Sequence, residues 1–202
     1  LAKRQALLQI CSNPSALTDG YEEVPAKMQA LESLLTDIIV QRGEKVIVWS
    51  YYTASIEGIM NRFSNFNPVR IDGTVTDINE RRNSVDKFQN DNKTMLFVGN
   101  PAAAGAGITL HRARFAIYES MSNQAAHYLQ SLDRIHRRGQ TQDVEYFILL
   151  CDQTIEVSEY ERLVLKERSA QALLGDQVQE PVTREVMLNE TLDSLRLLEQ
   201  EV

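Results

Sequence analysis

Gln130, Arg134 and Arg137 stand four and three positions apart in the string Gln130-Ser131-Leu132-Asp133-Arg134-Ile135-His136-Arg137-Arg138-Gly139-Gln140. On a helix that spacing returns all three to one stripe. A guanidinium is permanently charged and offers a planar fork of donors matched to phosphate oxygens. Arg134 and Arg137 together therefore suit a polyphosphate whose transferred group gains charge. An exposed, solvated helix face has the same spacing, so the stripe nominates a catalytic pair without establishing one.

A second chemical feature is Ala103-Ala104-Gly105-Ala106-Gly107-Ile108-Thr109-Leu110. Tight turns and close helix packing also call for glycines at such a spacing. Here the segment comes straight after an apolar run, where backbone N–H groups can read a phosphate or another backbone, and Gly105 and Gly107 are the candidates.

The elements that must hold these groups follow from periodicity. Ala125, Tyr128, Leu129, Leu132 and Ile135 form the apolar stripe behind the arginines, and Gly139 is placed to end that helix. Strands are predicted at 45–49, 69–71, 94–98, 115–118 and 144–150, with helices opening at Pro25 and spanning 53–63 and 78–89. The helix after Pro25 carries Met28, Leu31, Leu34, Leu35 and Ile38 on one stripe. Strands alternating with helices mean an α/β domain with a mostly parallel sheet covered on both faces. In such sheets the loops at the carboxyl ends of strands form the ligand crevice. Ser50, Asp72-Gly73-Thr74 and the 100–109 loop each follow a strand and should converge on one edge.

The formal charge of −7 argues at first against a nucleic-acid partner. It is unevenly spread: residues 25–150 hold 14 Lys+Arg and 13 Asp+Glu, net +1, and the flanks hold 7 and 15, net −8. Composition thus permits a local basic patch without predicting one. Cys11 and Cys151 are far apart in sequence and make no metal-ligand spacing, so no metal site is expected. With no signal peptide and no membrane-length apolar run, the expectation is an intracellular, reducing setting, cytoplasmic or nuclear. No G-x-x-x-x-G-K-[ST] loop is present, nor an acidic pair after a strand to hold magnesium.

The arginine string resembles the last helicase motif of Swi/Snf-type ATPases, a branch of superfamily-two helicases. Other strings resemble that family in the same order. Leu7 and Gln9-Ile10-Cys11 with Asn13-Pro14 are similar to its L-R-Q-I-C-x-H-P lead-in, and Lys45 to Ser50 to its K-V-L-I-F-S strand. Arg70-Ile71-Asp72-Gly73-Thr74, then Arg81 or Arg82 and Phe88-Gln89-Asn90, is similar to its R-x-D-G-S/T, R and F-N series. Residues 103–110 resemble its A-G-G-x-G-I-N-L motif, with Ala106 and Thr109 substituted. Thr154-Ile155-Glu156 and Lys166 resemble its brace helix, while only Asn123 remains of a Trp-Asn-Pro string.

The resemblance implies the second RecA-like lobe of a double-stranded DNA translocase, a three-layer α/β domain with a C-terminal helical extension. Residues 1–24 would be a connecting arm, 25–152 the lobe, 153–176 a brace helix, and 177–202 an acidic linker with an amphipathic helix at 186–198. It further implies ATP and Mg2+ bound in the two-lobe protein and not by this chain alone. Arg134 and Arg137 would be arginine fingers, Gln130 would orient the fingers or the γ-phosphate, and Ser50, Gly73, Thr74, Asn100 and Thr109 would hold DNA backbone. The partners implied are double-stranded DNA and a first RecA-like lobe, with no membrane. Two alternatives remain open: another superfamily-two motor, such as a restriction translocase, and a non-catalytic α/β binding module.

Overall fold

Short runs of Val, Ile and Phe become parallel strands when both of their faces are covered. Five do so here: β1 Val46–Trp49, β2 Val69–Ile71, β3 Leu96–Gly99, β4 Phe115–Tyr118 and β5 Glu145–Ile148. The computed structural model describes residues 2–104, 108–122, 125–135 and 139–174. Within it the strands form one sheet in the order β2-β3-β1-β4-β5, every pair parallel. The helices are α1 Ala2–Ser12, α2 Ala26–Leu35, α3 Thr53–Arg62, α4 Ile78–Asn90, α5 Ala125–Ile135 and α6 Ile155–Leu174. The fold class and all five expected strands are present.

Alternation along the strands builds two cores. Val46, Val48, Leu96, Val98, Phe115 and Ile117 pack with Met28, Leu31 and Leu35 of α2 and Ile56 and Ile59 of α3. Ile47, Trp49, Phe97, Ala116 and Tyr118 meet Phe88 of α4 and Ile135 of α5 on the opposite face. Each fully buried Leu or Ile stabilises the fold by about 1.5–3 kcal/mol. The central strands β1, β3 and β4 are buried throughout, whereas β2 and β5, at the edges, are partly exposed.

One element departs from its expected period. After Leu35 the helix widens into a π-helical segment, Thr36–Gln41, so the consecutive Ile38 and Ile39 both turn inward and Leu34 is only partly buried. A widened turn shifts the apolar stripe by one residue, which a 3.6-residue period does not foresee. Helix α4 is closed at both ends by side chains. Asp77 accepts from Asn79 N (2.8 Å), and the Lys45 ammonium donates to the carbonyls of Phe88, Asp91 and Thr94 at 2.6–2.7 Å.

Leu1–Leu165 form one compact unit and Lys166–Val202 another. The segment expected as an arm, 1–24, belongs to the first unit: Arg4 pairs with Glu159, and Ser12 is buried. The acidic linker and the helix expected at 186–198 lie outside the described residues.

Candidate nucleotide and nucleic-acid interface

Parallel register brings the strand ends level. Trp49 pairs with Gly99 and Tyr118, Ile71 with Gly99, and Tyr118 with Ile148. The next residues, Asp72, Asn100, Ser50, Glu119 and Leu149, therefore stand in one row along the carboxyl edge. The ladder runs one step past the strands: Asn100 N donates to Ile71 O (3.0 Å), Ser50 N to Gly99 O (2.9 Å), Glu119 N to Trp49 O (2.9 Å) and Leu149 N to Tyr118 O (3.0 Å). The convergence expected from β-α alternation is thus present for Ser50, Gly73, Thr74 and Asn100. Gly105, Gly107 and Arg137 lie outside the described residues, as do Asn123, His136 and Arg138.

The loop after β2 is shaped by a buried carboxylate. Asp72 Oδ1 accepts from Thr74 N (2.9 Å) and Thr74 Oγ1 (2.6 Å), and Oδ2 accepts from Arg70 Nε (2.9 Å). Burial opposes the charge, but the hydrogen bonds from Arg70 and Thr74 outweigh it and hold the Asp72 carboxyl below the usual aspartate range. Gly73 and Thr74 are left exposed at the tip. Arg81 then ties this loop to the next one. It donates to Val75 O (2.6 Å), Asp72 O (3.1 Å) and, across the row, Ala103 O (2.8 Å). Of the two arginines that fit the motif, Arg81 makes these bonds and Arg82 is exposed. Asn100 Nδ2 donates to Tyr51 O (3.0 Å), and its Oδ1 accepts from Ala102 N (2.9 Å), which joins the third loop to the first.

Ser50 is placed differently from the expectation. It is fully buried, and its hydroxyl donates inward to Glu119 Oε2 at 2.8 Å. Buried Glu119 also accepts from Ser12 Oγ (2.5 Å), and its carbonyl accepts from Lys27 Nζ (2.7 Å). The same ammonium meets Glu156 Oε1 at 2.5 Å, with both side chains nearly inaccessible. Burial first, then Glu119 and Glu156, push the adjacent Tyr52 phenol above its ordinary range. This polar cluster sits beneath the loops and presents no hydroxyl outward from Ser50.

Helix α5 also departs from the simple stripe. Gln130 is exposed, but Arg134 is only 5% exposed and lies on a buried stripe with Ser131 and Ile135. Ser131 Oγ bonds to the Tyr118 hydroxyl (2.6 Å) and to Tyr128 O (2.6 Å), fixing the helix over β4. The Arg134 carbonyl accepts from Leu110 N at 2.9 Å, which fastens the far end of the 103–110 segment to the helix terminus. Thr109 is half-buried beside it.

A family model described as the helicase conserved C-terminal domain matches residues 26–139 of this chain, more than half of its length. The chain belongs to the helicase C-terminal domain family. Its Swi/Snf-type resemblance also holds. It is 34% identical over 132 residues to the ATP-dependent helicase FUN30 of Saccharomyces cerevisiae, covering 64% of this chain and 12% of that protein. It is 32% identical over 154 residues to the chromatin-remodeling ATPase INO80 of Homo sapiens, covering 75% of this chain and 9% of that protein. The chain thus spans about a tenth of the length of these curated relatives.

Among solved structures, the C-terminal part of the Fun30 ATPase domain matches with TM-score 0.65 at 29% identity, over 79% of this chain and 54% of that one. The Sulfolobus solfataricus SWI2/SNF2 ATPase core, solved in complex with double-stranded DNA, matches in fold with TM-score 0.67 at 24% identity, over 84% and 36%. The RecA-like three-layer architecture is accordingly that of this helicase C-terminal domain.

Two residues that build the helicase lobe's edge, Glu119 and Gln140, are not singled out from the sequence. Glu119 follows β4 as directly as Ser50 follows β1, so applying the strand-end rule to the fourth strand would have found it. Gln140, inside the arginine string, donates to the carbonyls of His111 (3.1 Å) and Ala113 (2.9 Å) and so holds the approach to β4. Gly139, expected from the sequence to end the arginine helix, has φ +106, and a Cβ there would lie 3.3 Å from the His111 ring, so backbone and packing both ask for glycine.

Proposed function

We propose that this chain is the second motor lobe of an ATP-dependent double-stranded DNA translocase, working against a first RecA-like lobe of the same polypeptide. The observation that supports this most is the level row of strand ends, whose loops are bolted together by Arg81 and Asn100 in a helicase-family lobe. In this reading ATP and Mg2+ sit between the lobes, with Gln130 and the glycines Gly105 and Gly107 lining the nucleotide side. Arg137 reaches the γ-phosphate as a finger. Arg134, its expected companion, works from the buried side of the helix and also steadies the helix end.

Gly73, Thr74, Asn100 and Thr109 hold DNA backbone. Ser50 acts through Glu119 by fixing the turn after β1. Contacts of this kind are indifferent to base sequence and weaken with salt. On its own the chain hydrolyses no ATP, because the phosphate cradle and magnesium ligands come from the other lobe.

The test uses the two-lobe protein. Arg137→Lys keeps the charge but loses the planar fork, and DNA-stimulated turnover should fall by roughly 10³–10⁵ with little change in DNA affinity or Tm. Gly73→Ala is the complementary arm. No atom lies within 4 Å of a Cβ there, so stability should hold while DNA affinity falls. Turnover that survives Arg137→Lys, or that falls only in step with stability, refutes the motor reading.

A further inference from the structure

The two cysteines of this chain are 140 positions apart, yet the fold brings them together. Cys11 lies in the last turn of α1, and Cys151 follows β5. Cys151 Sγ is 3.3 Å from the Cys11 carbonyl oxygen, and the two sulfurs and a Glu156 carboxylate oxygen lie within 4.8 Å of one another. Both cysteines are half-buried, so a small reagent can reach them. Besides the hydrogen bond from the Cys151 thiol to the Cys11 carbonyl, each has anchors of its own. Next to Cys11, Ser12 is anchored to Ser55 (2.7 Å) and Glu119 (2.5 Å), and α1 is pinned farther back by Arg4 and Glu159. Cys151 N donates to Glu156 Oε2 (2.9 Å), and its carbonyl accepts from Thr154 Oγ1 (2.7 Å).

Two thiols and a carboxylate could also attract a thiophilic cation. The carboxylate, however, already holds the buried Lys27 ammonium at 2.5 Å, and a second cation beside it would be repelled. What remains is a pair of thiols held in register.

We propose that Cys11 and Cys151 form a reversible disulfide by exchange with a small disulfide of the glutathione class, tying α1 to the turn that enters α6. The Cys11 thiolate attacks one sulfur of the small disulfide and expels one small thiolate. The Cys151 thiolate then attacks Cys11 Sγ in the mixed disulfide and expels the second. Two protein thiols are oxidised, one small disulfide is reduced, and the two protons released end on the two departing thiols. Cys11 is the first attacker because burial, followed by Glu156, pushes the Cys151 thiol up to about 11. Closure requires the sulfurs to approach from within 4.8 Å to about 2.05 Å.

The folded chain would be incubated with glutathione disulfide and a chelator, digested without reduction, and read by mass spectrometry. The expected product is a cross-linked peptide pair containing Cys11 and Cys151, with both free thiols lost, a mass lower by two hydrogens, and full reversal by dithiothreitol. In denaturant the cross-link should drop by about tenfold or more, because closing so long a flexible loop carries a large entropy cost. Cys151→Ser removes the resolving thiol and should stop at the mixed disulfide on Cys11, whereas Cys11→Ser removes the first attacker and should react far more slowly, with no cross-link in either variant. The proposal is overturned by glutathione adducts without a cross-link, by no reaction, or by equal cross-linking in denaturant. Stoichiometric zinc on the purified chain that shields both thiols would overturn it in favour of a metal centre.

Discussion

Arg81→Lys tests whether the loops along the carboxyl edge are one mechanical unit. The native guanidinium spreads three donors over the carbonyls of Val75, Asp72 and Ala103, at 2.6, 3.1 and 2.8 Å. A lysine ammonium on a flexible stem can keep one of these. Two charge-assisted bonds, at about 1.5–3 kcal/mol each, would total about 3–6 kcal/mol. Arg81 is half-buried, so water recovers part of the loss and about 2–4 kcal/mol is expected in urea unfolding, with an unchanged slope. For a unit of this size that corresponds to a Tm lower by about 4–16 °C. Arg82→Lys, next to it but exposed, is the control and should stay within about 0.5 kcal/mol of the parent. Equal effects from the two substitutions, or a negligible one from Arg81→Lys, would mean that the clamp carries no energy and that the loops are positioned independently.

Two further predictions concern the buried charges. Lys27→Met should destabilise the chain by about 3–5 kcal/mol, because it leaves the Glu156 carboxylate buried without its ion partner, and adding Glu156→Gln should restore part of that loss in a double-mutant cycle. Asp72 has a depressed folded-state pKa, so its contribution is present above the unfolded value of about 3.9 and is lost as pH falls through the lower folded value. Asp72→Asn should flatten the acid limb of the stability curve below about pH 4, and an unchanged limb would contradict that assignment.

What was legible in the sequence is what local chemistry encodes. β-branched runs such as Lys45 to Trp49 marked the strands, and the polar residue just past each strand marked the edge. Family strings then ordered those edges into a helicase lobe. What was not legible depends on partners distant in sequence. Lys27 reads as an ordinary lysine at the start of a helix, yet it is buried between Glu119 and Glu156, 92 and 129 positions away. Ser50 reads as an exposed hydroxyl at a strand end, yet Glu119 turns it inward across 69 positions. His111 and His127 offer no partner by spacing, but they bond to Gln89 (3.2 Å) and Ser122 (3.0 Å). Period and spacing specify a residue's face, and only the assembled sheet specifies what stands opposite it.

Arg134 shows where that distinction matters most. Spacing alone puts Arg134 on one stripe with the exposed Gln130, but α5 is rolled so that Ser131, Arg134 and Ile135 point inward. A guanidinium taken out of water is strongly destabilising when its surroundings are disturbed, and here the backbone of the same residue also holds Leu110 at 2.9 Å. Substituting Arg134 therefore perturbs the helix end and the 103–110 segment before it perturbs any phosphate chemistry. Loss of activity at Arg134 alone cannot separate a finger from a brace. Activity and unfolding must be measured on the same variant, and only a loss of turnover larger than the loss of folded protein belongs to catalysis.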